Sequence, residues 1–264
     1  MTTTSRTSGR PAAQAPSPLD DRARAVVEGL QARNRRQTRA AVGPLIVRAV
    51  RSRLRDGTWD PTQSPATRAW LADKLVALDP SKAALCYQLC RALGARRVVE
   101  AGTSYGLSTI YLAAAVRDNI AAAAALAESR DARRGAEPDD GGAAAGVVIG
   151  TEHEPSKVAF AHANLTEAGL ADHADIREGD LRETLRDLPG PVDFMLVDIW
   201  IPMALPALRL VTPHLRPGAL VVCDNVVSGR RYYAEYLDHV RDPGGPFTSV
   251  TVPGNGGLEI SLRN

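Results

Sequence analysis

Lysine is nearly absent from this chain of 264 residues, which holds only Lys74, Lys82 and Lys157 and carries the rest of its basic charge on arginine. Cysteine is as scarce, with Cys86, Cys90 and Cys223. That odd, sparse set excludes a disulfide framework and has no metal-ligand spacing. Cys86 and Cys90 stand four apart on a helical stretch and read as buried thiols, which suits a reducing cytoplasm. No apolar run reaches the roughly 18 residues that span a bilayer, so no membrane partner is expected. Residues 1–18 lack the apolar centre of a signal peptide and are rich in Ser, Thr, Pro and Ala, the composition of a disordered tail. A formal net charge of +2 demands no polyanionic partner. Aromatic residues make up 5% of the chain and do not interleave with the arginines crowded between Arg22 and Arg55. Those arginines therefore read as the solvated face of amphipathic helices, not as a nucleic-acid surface.

Apolar periodicity divides the remainder in two. Residues 19–94 read as helices outside the main sheet pattern, a substrate lid and dimerisation element. Leu45, Ile46, Ala49, Val50 and Leu54 recur at helical spacing behind Pro44, placed as a first-turn residue. Ser64-Pro65 opens a second segment carrying Trp70, Leu71, Leu75 and Leu78. Ser81 starts a third, which Gly94 ends.

Residues 95–264 alternate strand and helix, the rhythm of a Rossmann-like, doubly wound α/β sheet of about seven strands. Strands are expected at 97–100, 146–150, 174–178, 192–197 and 219–223. Helices are expected near 107–117, 156–168, 181–187 and 203–214. Ser249–Val252 and Leu258–Leu262 flank a Pro-Gly-Asn-Gly-Gly turn, a hairpin that makes the last strand antiparallel. Residues 117–145 interrupt the rhythm with an alanine run and a charged, Gly/Ala-rich stretch. They read as a surface insertion at the edge of the sheet away from ligands.

The segment Arg97-Val-Val-Glu-Ala-Gly-Thr-Ser-Tyr-Gly-Leu-Ser108 is a strand, a glycine loop and a helix start, the opening of a nucleotide-binding sheet. Gly102 and Gly106 allow the backbone to approach a ligand. Glu100 would repel a pyrophosphate, which such loops bind on backbone N–H groups. It suits a cationic ligand, and S-adenosylmethionine, with an ammonium, a sulfonium and no phosphate, fits better than a dinucleotide. Glu152, at the end of the second strand, is placed for both ribose hydroxyls, with Glu154 as the alternative, and His153 for the adenine face. Gly179-Asp180 follows the third strand, where Asp180 either accepts from the adenine amino group or caps the next helix. The fourth strand ends in Asp198 and the fifth in Asp224-Asn225. If these strands are neighbours, three oxygen donors converge, a set suited to a hard divalent cation, Mg²⁺ before Ca²⁺ or Mn²⁺.

Together these residues resemble the S-adenosylmethionine-dependent O-methyltransferases of the catechol and caffeoyl-coenzyme A type. The resemblance covers roughly residues 64–264 and includes Val-Asp-Phe-Met-Leu-Val-Asp at 192–198, Gly-Ala-Leu-Val-Val-Cys-Asp-Asn at 218–225 and the terminal Gly-Gly-Leu-Glu-Ile-Ser. It implies a cofactor held by Glu100, Gly102, Thr103, Ser104, Ser108, Glu152, His153, Gly179, Asp180 and Asp198. It implies a cation held by Asp198, Asp224 and Asn225, with Asp198 central to catalysis. Trp200, Ile201 and Asn225 would border a small aromatic substrate, and the enzyme would be a homodimer. One position departs. Where the family has a general-base lysine, three residues after the first metal aspartate, this chain has Ile201. That departure keeps open a metal-independent N- or C-methyltransferase acting on an aromatic or indole-like substrate. A nicotinamide-dependent oxidoreductase is opposed by Glu100 and the hairpin, and a nonenzymatic nucleic-acid binder by the arginine pattern.

Overall fold

Val98 and Val99 are both fully buried, yet they belong to different hydrophobic cores. That is the period of a strand covered on both faces. The computed structural model describes residues 17–57, 77–134 and 146–264, with Ser64, Ala66, Thr67, Trp70, Lys74 and Leu75. Its strands are β1 (Arg97–Ala101), β2 (Val147–Glu152), β3 (Ala174–Glu178), β4 (Val192–Val197), β5 (Leu215–Asp224), β6 (Phe247–Val252) and β7 (Leu258–Arg263). They form one sheet in the order β3-β2-β1-β4-β5-β7-β6. β1 to β5 run parallel, and β7 is antiparallel to both β5 and β6, as the hairpin signal requires.

Seven α-helices cover the faces among the described residues. α1 (Asp21–Asp56), α2 (Pro80–Leu93), α3 (Leu107–Arg134) and α4 (Pro155–Glu167) pack on the side of Val98, Phe194 and Leu196. α5 (Leu181–Thr184), α6 (Ile201–Val211) and α7 (Ala234–Val240) pack on the side of Val99, Met195 and Val197. Cys86, Cys90 and Cys223 are free and buried, as their scarcity suggested.

Several boundaries differ from the sequence reading. Pro44 does not begin a helix; it lies inside α1, which runs unbroken for 36 residues from its Asp20 cap to the left-handed Gly57. The helix passes through the one missing N–H although Val42 and Gly43 before it and Ile46 and Val47 after it are weak helix formers. The stripe that follows is helical, but Ile46, Val50 and Leu54 are exposed instead of packed. α2 starts at Pro80, because the Asp79 carboxylate accepts from Ser81 N–H, and Gly94 ends it in the left-handed region. β5 begins earlier than expected, at Leu215. Pro217-Gly218 lies where its register with β4 shifts, between the Val192–Leu215 and Phe194–Leu220 pairs. α3 extends to Arg134, taking in much of the expected insertion. Its segment Leu107–Arg130 is long and apolar enough to cross a membrane by composition. Residues Leu112–Val116, however, are fully enclosed in the core, and Arg117 is paired with Asp20. The expected tail up to residue 16, the cap residue Pro65, Leu71, and residues 135–145 lie outside the described residues.

Candidate active site

Parallel pairing brings the ends of β1, β4 and β5 to one edge. Ala101 is opposite Val197, and Val197 is opposite Cys223. Gly102, Asp198 and Asp224 are therefore neighbours where the strands run out, the edge at which open α/β sheets bind ligands. Gly102 is required there for a reason the sequence did not disclose. At φ 98° a Cβ would overlap the Asp198 carbonyl oxygen, so the glycine seats the loop against β4. Gly106 is favoured by its φ of 81°, since a Cβ there would only touch Ala161 of α4.

Glu100 is fully buried, and its Oε2 accepts from the hydroxyls of Thr103 (3.1 Å) and Thr109. Burial pushes its pKa up, against hydrogen bonds from Ser108, Thr109 and Thr103. Oε1 has no partner, nor does the buried Ser104 Oγ. Two unspent polar atoms in the glycine loop match a polar ligand. Ser104, at φ 50°, donates its N–H to Glu152 Oε2 at 2.8 Å, tying the loop after β1 to the end of β2. Glu152 Oε1 accepts from the N–H groups of His153 (2.8 Å) and Glu154 (3.0 Å). Of the two candidate acids, Glu152 thus faces the loop, while Glu154 occupies the cap of α4 without a side-chain hydrogen bond. His153 is exposed beside them. Gly179 donates to the Glu152 carbonyl at 2.9 Å, which brings the β3 end alongside. Asp180 caps α5 by accepting from Arg182 N–H at 2.9 Å, and the Arg182 guanidinium holds its carboxyl well below the usual carboxylate range.

Across the edge the acids are in tension. Burial, then the negative charges of Asp224 and Glu100, push Asp198 up to about 7, with Lys82 opposing. Burial also raises Asp224, again against Lys82. Asp224 Oδ1 accepts from Asn225 N–H at 2.7 Å and from Lys82 Nζ, and Oδ2 accepts from Asn225 Nδ2 at 3.1 Å. Asn225 adopts φ 60°, a conformation asparagine tolerates. Lys82, with a side chain 7% exposed, comes from the first turn of α2 and was missed in the sequence. The signal was present: one of three lysines sits where a helix start favours acids.

A cleft of about 390 Å³ opens beside this group, and Lys82, Asp224 and Asn225 line it. Gln31, Asn34 and Arg35 of α1 form its far wall, one helical face, and Asn255 of the hairpin turn closes it. Sequence reasoning did not assign those four residues to the site. Trp200 and Ile201, half-buried at the start of α6, are not among the residues that line it. α1 is fastened to the cofactor-loop side. Arg33 lies over the rings of Tyr105 (4.7 Å) and Phe160 (4.9 Å), and Arg22 donates to the carbonyls of Glu167 and Thr166.

Residues 99–226 match a methyltransferase domain model. A catechol O-methyltransferase of Mycobacterium tuberculosis is 31% identical over 182 residues, 68% of this chain and 71% of that protein. The chain belongs to the S-adenosylmethionine-dependent O-methyltransferase family. The fold is shared with cofactor-bound Rv0187 from MTB, at TM-score 0.57 and 25% identity, covering 82% of this chain and 95% of that one. It is shared also with TomG of Streptomyces achromogenes, an O-methyltransferase of tomaymycin synthesis solved with its methyl donor, at TM-score 0.51 and 26% identity, covering 77% and 88%. The enzyme is thus an O-methyltransferase.

Proposed function

We propose that this enzyme transfers the methyl group of S-adenosylmethionine to a hydroxyl of a small aromatic substrate of the catechol type. The observation that carries this reading is the convergence of Asp198, Asp224, Asn225 and Lys82 at the sheet edge beside a polar cleft. Gly102, Thr103, Ser104 and Ser108 cradle the amino-acid part of the cofactor, and the unspent oxygens of Glu100 and Ser104 supply polar partners. Glu152 Oε2, which accepts one hydrogen bond, keeps acceptor capacity for a ribose hydroxyl, while Oε1 already accepts two. His153, Gly179 and Asp180 border the adenine.

A divalent cation fits the donor set in chemistry. Among the described residues no cluster of three or more His, Cys, Asp or Glu has metal-binding geometry. The group here is two acids and an amide, all offering oxygen, with buried negative charge in excess of one ammonium. Asp198, Asp224 and Asn225 would hold Mg²⁺, whose charge favours the ionised form of a phenol. In the transfer the S–CH₃ bond breaks as the O–CH₃ bond forms, the sulfur keeps the electron pair, and the phenol proton is lost to solvent. The chain's part is to align the reactants, exclude water and set the charge around the acceptor oxygen.

The same reading includes a homodimer in the cytoplasm. Val42, Ile46, Val47, Val50 and Leu54 expose one apolar stripe on α1, which a second copy would cover, and three free thiols suit a reducing compartment. Light scattering at micromolar concentration tests it, a monomer being the contrary result. The function is tested by transfer of labelled methyl to catechols, simple phenols, indoles and amines, with Mg²⁺ and with chelator. Catechols should be the best acceptors and chelator should lower the rate. Transfer confined to indoles or amines would overturn the substrate class.

A further inference from the structure

A lysine in the first turn of a helix is opposed by the helix dipole, and a buried ammonium by desolvation. Lys82 meets both costs, at 6% exposure in the first turn of α2. Asp224 accepts from one of its three N–H donors, and among the described residues no other group is bonded to it. The remaining donors belong to a side chain that lines the cleft. Asp224, by contrast, is well supplied, since the N–H and the side-chain amide of Asn225 donate to it as well. The imbalance is on the donor side. It calls for an oxygen acceptor in the cleft.

We propose that Lys82 is a catalytic residue of the methyl transfer, its free N–H groups binding the acceptor oxygen of the substrate and its fixed charge stabilising the phenolate. This rests on the O-methylation reading above. The positive group that Ile201 cannot supply from α6 is delivered from α2, across the cleft. Asn225 lines the same cleft, with its Nδ2 donating one hydrogen to Asp224 Oδ2.

The test uses 4-nitrocatechol, whose anion absorbs visible light, with the full-length protein in chelator and below the probe's own pKa. Wild type should bind the probe as its anion with no divalent cation present. Lys82→Met should weaken binding by about 10- to 100-fold, the worth of a hydrogen bond to a charged group, and the residual complex should show the neutral spectrum. Lys82→Arg should keep the anionic spectrum. Should Lys82→Met fail to fold by circular dichroism, Lys82→Met with Asp224→Asn removes both charges and carries the comparison. Equal affinity and an unchanged spectrum in the methionine variants would overturn the proposal, as would absence of probe binding to wild type. Methylation of catechols is assayed separately. Probe binding through Lys82 without methylation of any catechol would remove the substrate reading and leave the oxyanion site standing.

Discussion

Strand β4 begins beside Asp193 at one edge of the sheet and hands over to Asp198 at the other, and the two carboxylates live in opposite conditions. Both are at least partly buried, and burial alone raises both. At Asp193 the N–H groups of Arg97 (2.9 Å) and Arg96 (2.8 Å) and the Arg216 guanidinium (2.6 Å) outweigh it, so its pKa is lowered. At Asp198 the neighbours are Asp224 and Glu100, their charges add to burial, and the pKa rises to about 7. Glu259 on β7 resembles Asp193: burial is outweighed by Arg241, Thr251 and Ser249. Acids whose donors outweigh burial hold the sheet together; those that burial pushes up gather where the strands run out. A site kept in such tension is the expected signature of function.

The largest effect expected is on turnover. Asp198→Asn should lower kcat by at least about 100-fold, on the scale of losing a positioned charge at a reacting centre, while folded-state stability is held or raised. Asp193→Ala should do the reverse. Breaking a half-buried pair that also holds two backbone N–H groups should cost about 1–3 kcal/mol. Urea unfolding would show it as a lower midpoint at unchanged slope, and kcat per folded molecule should stay near wild type. Loss of activity in Asp193→Ala beyond its unfolded fraction would break the division between the two ends.

A smaller effect separates them by pH. Asp198 titrates at about 7 in the folded protein against an ordinary 3.8. Between those values the folded state binds a proton that the unfolded state has lost, so stability falls as pH rises through the window. Asp193 and Glu259, with lowered values, contribute stability above the unfolded carboxylate range and lose it as pH falls through their folded values. Asp198→Asn should therefore gain on wild type from pH 4 to 7 and hold a constant lead above. The lead should be roughly 1–3 kcal/mol, since a tenfold change in an acid constant is about 1.4 kcal/mol and neighbouring charges share it. Urea midpoints at pH 5, 6, 7 and 8 decide the matter; a difference independent of pH would show that Asp198 titrates normally.

The division also explains what the sequence could disclose. Strand positions, the hairpin and the edge acids were legible because period-2 apolar runs and strand-end carboxylates are local patterns. Glu100, Glu152, Asp180, Asp198, Asp224 and Asn225 all stand where the rhythm of strand and helix put them. Lys82 was not legible as a site residue, because its partner lies 142 positions away and nothing local in α2 points to β5. The far wall of the cleft was hidden for the same reason: Gln31, Asn34 and Arg35 reach the site only because α1 folds back over the sheet. Gly102 was read as a place where the backbone approaches a ligand, and the structure adds a second need for glycine there, the Asp198 carbonyl. The apolar stripe from Ile46 to Leu54 had the right period and the wrong surroundings, since periodicity gives a face and not what covers it.

The smallest expected change sharpens the comparison at the functional end. Ile201→Lys would place a second ammonium in the first turn of α6, near the acid it follows by one turn of chain. The helix start opposes it by about 0.3–1 kcal/mol, and the half-buried isoleucine gives up some apolar contact, so a modest loss of stability is expected at pH 5. An added positive charge beside Asp198 favours its ionised form and lowers its titration point. The loss should therefore shrink as pH rises toward 8, because the variant no longer carries the full penalty of a strained carboxylate. Turnover should rise severalfold near neutral pH if proton removal from the acceptor limits the rate, and otherwise remain unchanged. The stability profile is the deciding measurement. A penalty constant from pH 5 to 8 would mean that the new ammonium does not reach the field of Asp198, and that the tension at this edge is relieved from α2 and not from α6.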